Sequence, residues 1–151
     1  MPIECKIDWD RVKAQCNNNI EQIKSALFDV FAYVGEEAVK TARIVGNYNN
    51  PTGNLRSSIN YNVLYDGEVV RGGNPEVFQG ENGGTGDKGV TASQELLSKL
   101  ATQYNKGLVL IVVAGMQYAV YVEDVYKKDV LTSARLQADY LAKKMIDEVT
   151  K

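Results

Sequence analysis

A chain of 151 residues with 17 Lys and Arg against 19 Asp and Glu, a net charge of −2 and an isoelectric point near 5.2 fits one domain able to bury its own core, and its scattered cations form no linear basic patch of the kind a non-specific nucleic-acid binder carries. It has no histidine, which removes the commonest general base and a leading metal ligand, and its two cysteines, Cys5 and Cys16, are too few for a disulfide scaffold and match no metal spacing. The opening MPIECKIDWD lacks both the basic leader and the apolar stretch of a secretion signal, and the longest apolar run, LVLIVVAGM, is half of a membrane span, so a soluble protein of a reducing compartment is expected, with no cofactor, no metal, no membrane and no specific nucleic acid.

Residues 3–9 alternate through Ile3, Cys5, Ile7 and Trp9, which suits a short strand or an extended arm, and Asp8 or Asp10 then offers a carboxylate to the free N–H groups of a first helical turn. Val12 and Cys16 continue an apolar stripe that the asparagines at 17–19 weaken. From Ile20 the signal is strong. Ile20, Ile23, Leu27, Val30, Phe31, Val34, Ala38, Ala42 and Val45 recur at steps of three and four with one adjacent pair, and Glu21, Lys24, Glu36, Glu37 and Lys40 lie opposite, which predicts an amphipathic helix. Gly46 stands where a left-handed C-cap belongs, and Arg43 lies near the negative end of the dipole. At about 1.5 Å per residue this helix is roughly 40 Å long, enough for its ends to project toward neighbours.

The stretch NNPTGNLRSSINY, 49–61, turns the chain into a strand in which Ile59, Tyr61, Val63 and Tyr65 alternate with Ser58, Asn60, Asn62 and Leu64. Asp66-Gly67 suits a type I′ hairpin turn into a return strand at 68–72. Eight of the thirteen glycines then lie between 67 and 89, and the loop of about 72–90 is expected to be mobile. Thr91 and Gln94 make a capping-box pattern for a short helix bearing Leu96, Leu97, Leu100 and Tyr104 and ending near Gly107. LVLIVVA, 108–114, reads as a central strand, GMQ as a turn, YAVYVE, 118–123, as its return strand, and about 130–149 as a final helix. The expected fold is α+β and a single domain over 1–151: an antiparallel sheet of about four strands from two hairpins, packed on a long N-terminal helix and a C-terminal helix.

Candidate chemistry is sparse. Ser57 and Ser58 have no histidine to activate them and no S-x-x-K pattern, so one is expected to face outward at the strand start and the other to bond the turn backbone. GTGDKG, 84–89, fits G-x-G-x-x-G and precedes a helix, but no buried strand leads into it and Asp87 would repel phosphate. The acidic residues form no metal cage. Nine tyrosines are many for this length; Tyr61, Tyr65, Tyr118, Tyr121 and Tyr126 lie in or beside predicted strands and Phe78 lies in the loop. They read as cross-strand packing or, for Phe78, Tyr61, Tyr65, Tyr121 and Tyr126, as anchors of a subunit interface.

Two motifs coincide in order and spacing. Pro51, Thr52, Gly53, Leu55 and Ser58 follow a long helix that ends in AVKTAR, and AGMQYAVYVE, with Tyr118, Ala119 and Glu123, follows some sixty residues later. The pairing resembles the HK97 gp10-like tail-component family of tailed bacteriophages. Where that family commonly continues with Gly-Thr after the glutamate, this chain has DVYKKD. The resemblance implies a head–tail joining or tail-completion protein that catalyses nothing: a ring subunit in the virion, assembled in the host cytoplasm and contacting other copies of itself and neighbouring connector or tail-tube proteins. It also implies that the Thr52-Gly53 corner fixes the angle between helix and sheet, with Leu55 anchored in the core. Two other readings stay open at this stage, a small nucleotide-binding enzyme using 84–89 and a regulatory protein-binding module.

Overall fold

The computed structural model describes residues 4–149, so Ile3 of the expected arm lies outside the described residues, and residues 4–8 lead without regular structure into the first helix. Helix α1 spans Trp9–Val45, 37 residues or about 55 Å. Asp8 caps it, its carboxylate accepting the Arg11 N–H at 3.1 Å. The asparagine run does not interrupt it; Gln15 bonds Asn19 one turn on at 3.1 Å and Lys24 pairs with Glu21 at 3.0 Å, each a small local contribution. Gly46 ends the helix with φ −52°, outside the left-handed region expected of it. Glycine is needed there for space: a side chain would run into the Tyr48 ring, whose hydroxyl donates to the Ala42 carbonyl of the last turn at 3.3 Å.

After the corner and a one-turn helix α2, Asn54–Ser57, strand β1, Ile59–Tyr65, pairs antiparallel with β2, Glu68–Gly72. The turn carries positive φ at Asp66 (50°) and Gly67 (89°), as its sequence predicts. Strand β3, Leu108–Ala114, pairs with the other edge of β1 from Ile59↔Ala114 to Tyr65↔Leu108, giving the order β2-β1-β3. Ile59, Tyr61 and Val63 face α1 and the last helix, α5, Thr132–Val149. The opposite sheet face, with Leu64, Ile111 and Val113, is covered by α3, Asp87–Ala101. Burial on both faces is why Ser58 and Asn60 are nearly as enclosed as Ile59 between them.

Three expectations are corrected. The sheet has three strands, because 118–123 forms helix α4, Ala119–Asp124. Six alternating residues fit a short helix as well, and here Ala119 and Val122 turn inward at a spacing of three while Val120 and Tyr121 stay exposed. Helix α3 starts four residues before Thr91, on Gly86 with φ 74°, so the Thr91 hydroxyl bonds the Asp87 carbonyl inside the helix and does not cap it; the helix ends at Ala101, short of the exposed Tyr104. The glycine-rich segment 73–86 carries no helix or strand but is tied by backbone hydrogen bonds to the corner at 50–53.

Candidate docking surface at the helix–strand corner

The corner is built from backbone groups held by small polar side chains. Gly53 takes φ 77°, a conformation that favours glycine, and its N–H donates to the Asn50 carbonyl at 3.3 Å. The Ser57 hydroxyl donates to the Gly53 carbonyl at 2.8 Å and accepts the Phe78 N–H at 2.8 Å; the Ser58 hydroxyl donates to the Leu55 carbonyl at 2.7 Å. Both serines are fully buried, so neither faces outward as expected, and both bond backbone. Leu55, 2% exposed, anchors the corner from below, burial that stabilises by about 2 kcal/mol.

The glycine-rich segment is a strap laid over this corner. Glu81 and Asn82 donate their N–H groups to the Asn50 and Pro51 carbonyls at 3.2 and 2.9 Å. Side chains at Gly80, Gly84 or Gly89 would overlap the backbone of Pro51, Thr52 or Asn54. The glycines therefore permit two backbones to touch, and the space that G-x-G-x-x-G would offer a pyrophosphate is filled by the corner itself. Arg43 fastens the strap from α1: it reaches Glu76 at 2.6 Å and the Ile59 carbonyl at 2.8 Å, and its guanidinium lies 5.0 Å from the Phe78 ring centre. Burial pulls the Arg43 pKa down, with Glu76 opposing it. Sequence reading gave Arg43 only a helix-end role, because its partners lie 16 and 33 residues away.

The two sequence motifs meet in space. Pro51, Thr52 and Leu55 form one wall of a surface cleft of about 490 Å³ whose other wall is Tyr118, Val122 and Tyr126, with Lys128 at its edge. Tyr118, Tyr121 and Tyr126 are 40, 53 and 63% exposed, and the last two stack edge to face at 5.3 Å. Asn50 also lines the cleft, and its Oδ1 is buried without a hydrogen-bond partner among the described residues. Ala119 is buried beneath, while the Glu123 carboxylate accepts the Thr132 N–H at 3.0 Å and the Thr132 hydroxyl, tying α4 to the start of α5.

The remaining aromatic candidates stand elsewhere. Tyr61 is a core residue, 2% exposed; its hydroxyl donates to Glu36 at 3.0 Å, and burial followed by that carboxylate pushes its pKa up to about 12. It is no interface anchor. Tyr65 packs on Phe28, ring centres 5.3 Å apart, with the Lys24 ammonium over its face, and Phe78 is half-buried under Arg43. A larger hollow of about 620 Å³, not foreseen from sequence, runs between α1, β3 and α5. Among the described residues no three His, Cys, Asp or Glu side chains converge to hold a metal, and no helix is long and apolar enough to cross a membrane. No protein-family model, curated protein or solved structure matches the chain.

Proposed function

We propose that the chain is a structural protein of the head–tail interface of a tailed bacteriophage or prophage, a ring subunit that works through protein contacts in the virion and catalyses no reaction. The observation that carries this reading is the cleft in which Pro51, Thr52 and Leu55 meet Tyr118 and Tyr126, since the two segments that resemble the tail-component family form one exposed surface. Its chemistry suits docking. Exposed tyrosines offer an apolar ring and a polar tip at little entropic cost. The partners are further copies of the chain and the connector or tail-tube proteins on either side.

The test is in vitro joining of heads and tails from particles that lack this protein. Wild-type protein restores joined particles by negative-stain imaging. The Tyr118→Ser, Tyr126→Ser double variant, which loses the Tyr121–Tyr126 ring contact but stays folded by circular dichroism, restores at least tenfold fewer. Failure of the wild-type protein to join particles, or full joining by the folded double variant, overturns the reading. A saturable melting shift of the wild-type protein with ATP or NAD favours the nucleotide-binding reading instead.

A further inference from the structure

The core uses only part of α1. Val30, Val34 and Ala38 are buried, but Trp9, Val12, Ile20 and Ile23 are 63, 42, 49 and 54% exposed, with Cys16 exposed among them. At 100° per residue these positions fall within one arc of roughly 80°, and Val30, Val34 and Ala38 lie in that same arc. The core-facing stripe therefore runs off the folded body from Ile23 back to Trp9, about 21 Å, with nothing over it among the described residues. The same chain carries an apolar hollow of matching character, lined by Phe31, Leu108, Leu110, Val112 and Ala138.

We propose that the occupant of the hollow is the projecting half of α1 from a second copy of this chain, so that each subunit offers its stripe to one neighbour and its groove to the other. Charge favours this pairing. Lys13 flanks the stripe on one side, and the groove lining carries Glu123 and Asp139 against Arg135. The area is that of a weak contact: half the lateral surface of 21 Å of helix is on the order of 350–400 Å², so both partners together bury at most about 750 Å². A stripe and a groove at different places on the chain make a heterologous contact, which closes a ring or runs on as a filament. The inference rests on the ring reading above for closure alone.

The experiment uses the native Cys16 in a Cys5→Ser background, with Ala138→Cys or Ala142→Cys in the groove, mild oxidation and denaturing electrophoresis, beside light scattering of the unoxidised protein. Expected are covalent ladders that require the groove cysteine and fall at least tenfold in yield with Ile20→Glu, a substitution at an exposed site that leaves the circular dichroism unchanged. Lys13→Glu or Asp139→Lys alone weakens the ladder and the two together restore it. Products dominated by Cys16–Cys16 dimers, or a monomer at every concentration, overturn the proposal. A ladder that stops at a fixed size supports both contact and ring; an open ladder supports the contact and removes the ring, and joining activity without any ladder removes the contact and leaves the head–tail reading standing.

Discussion

Substituting Gly53 by alanine tests whether corner and strap are one clamped unit. At φ 77° an alanine meets the left-handed penalty of about 1–2 kcal/mol. Its Cβ would also overlap the Phe78 carbonyl oxygen, a backbone atom that yields only if the strap moves. Moving the strap breaks the Phe78 N–H to Ser57 hydroxyl bond, worth about 1 kcal/mol net. The total is about 2–3 kcal/mol, which in a domain of this length lowers Tm by roughly 4–12 °C. Gly83→Ala is the internal control. It lies at φ 80° with nothing near its absent Cβ, so it carries the conformational penalty alone, roughly 1–2 kcal/mol. Thermal melts followed by circular dichroism, with urea titrations for the free energies, read both variants. If Gly53→Ala and Gly83→Ala cost the same, the strap gives way without resistance and the clamp is refuted.

Arg43→Met removes bonds from a charged donor to Glu76 and to the buried Ile59 carbonyl, and is expected to cost about 1.5–3 kcal/mol by urea midpoint. Arg43→Lys should recover less than half of it, since an ammonium cannot bridge both acceptors while lying flat on Phe78. For Tyr61 the sign follows from a folded pKa of about 12 against an ordinary 10.0: the neutral form is favoured in the fold, so its contribution is whole below pH 10 and is lost as pH rises through about 12. Tyr61→Phe should flatten melting temperature against pH across that window, and an unchanged profile would place the alkaline sensitivity elsewhere.

Where the sequence carried a local period, it was legible almost to the residue. The period-two run at 59–65, the continuous apolar run at 108–114 and the Asp66-Gly67 turn set the pairing, because a slip of one would drive Asn60 and Asn62 into the α1 face. YAVYVE carried the same period and was misread, since what turns it into α4 lies outside it. Gly115 sits against the Ser93 backbone, where a side chain would overlap, while its N–H still donates to the Ser58 carbonyl at 2.9 Å; the chain leaves the sheet there. The strap was misread for a related reason. Glycine content argues for mobility when nothing pairs with it and for close backbone packing when something does, and the partner here is the corner, about thirty residues away. Both corner and α4 motifs were visible in the sequence, but their meeting across one cleft was not, because it depends on how α4 packs against the corner.

The projecting half of α1 raises a question that folding of the single chain does not answer. Scattered exposed apolar residues are ordinary, but Trp9, Val12, Ile20 and Ile23 share one helical face and continue the core stripe. Local interactions there are the Asp8 cap, one amide pair and one exposed ion pair, each worth a kcal/mol or less. An unsupported helical segment of this length is marginal in water. Its order must come from the body it extends from and from whatever covers its stripe. Covering it with a neighbour's groove makes helix formation and assembly one equilibrium, so the interface carries the ordering cost of the helix as well as its own desolvation. A pair formed as proposed would be weak, and a closed ring, in which every stripe is covered and every groove filled, would be the first state in which no subunit bears that cost uncompensated.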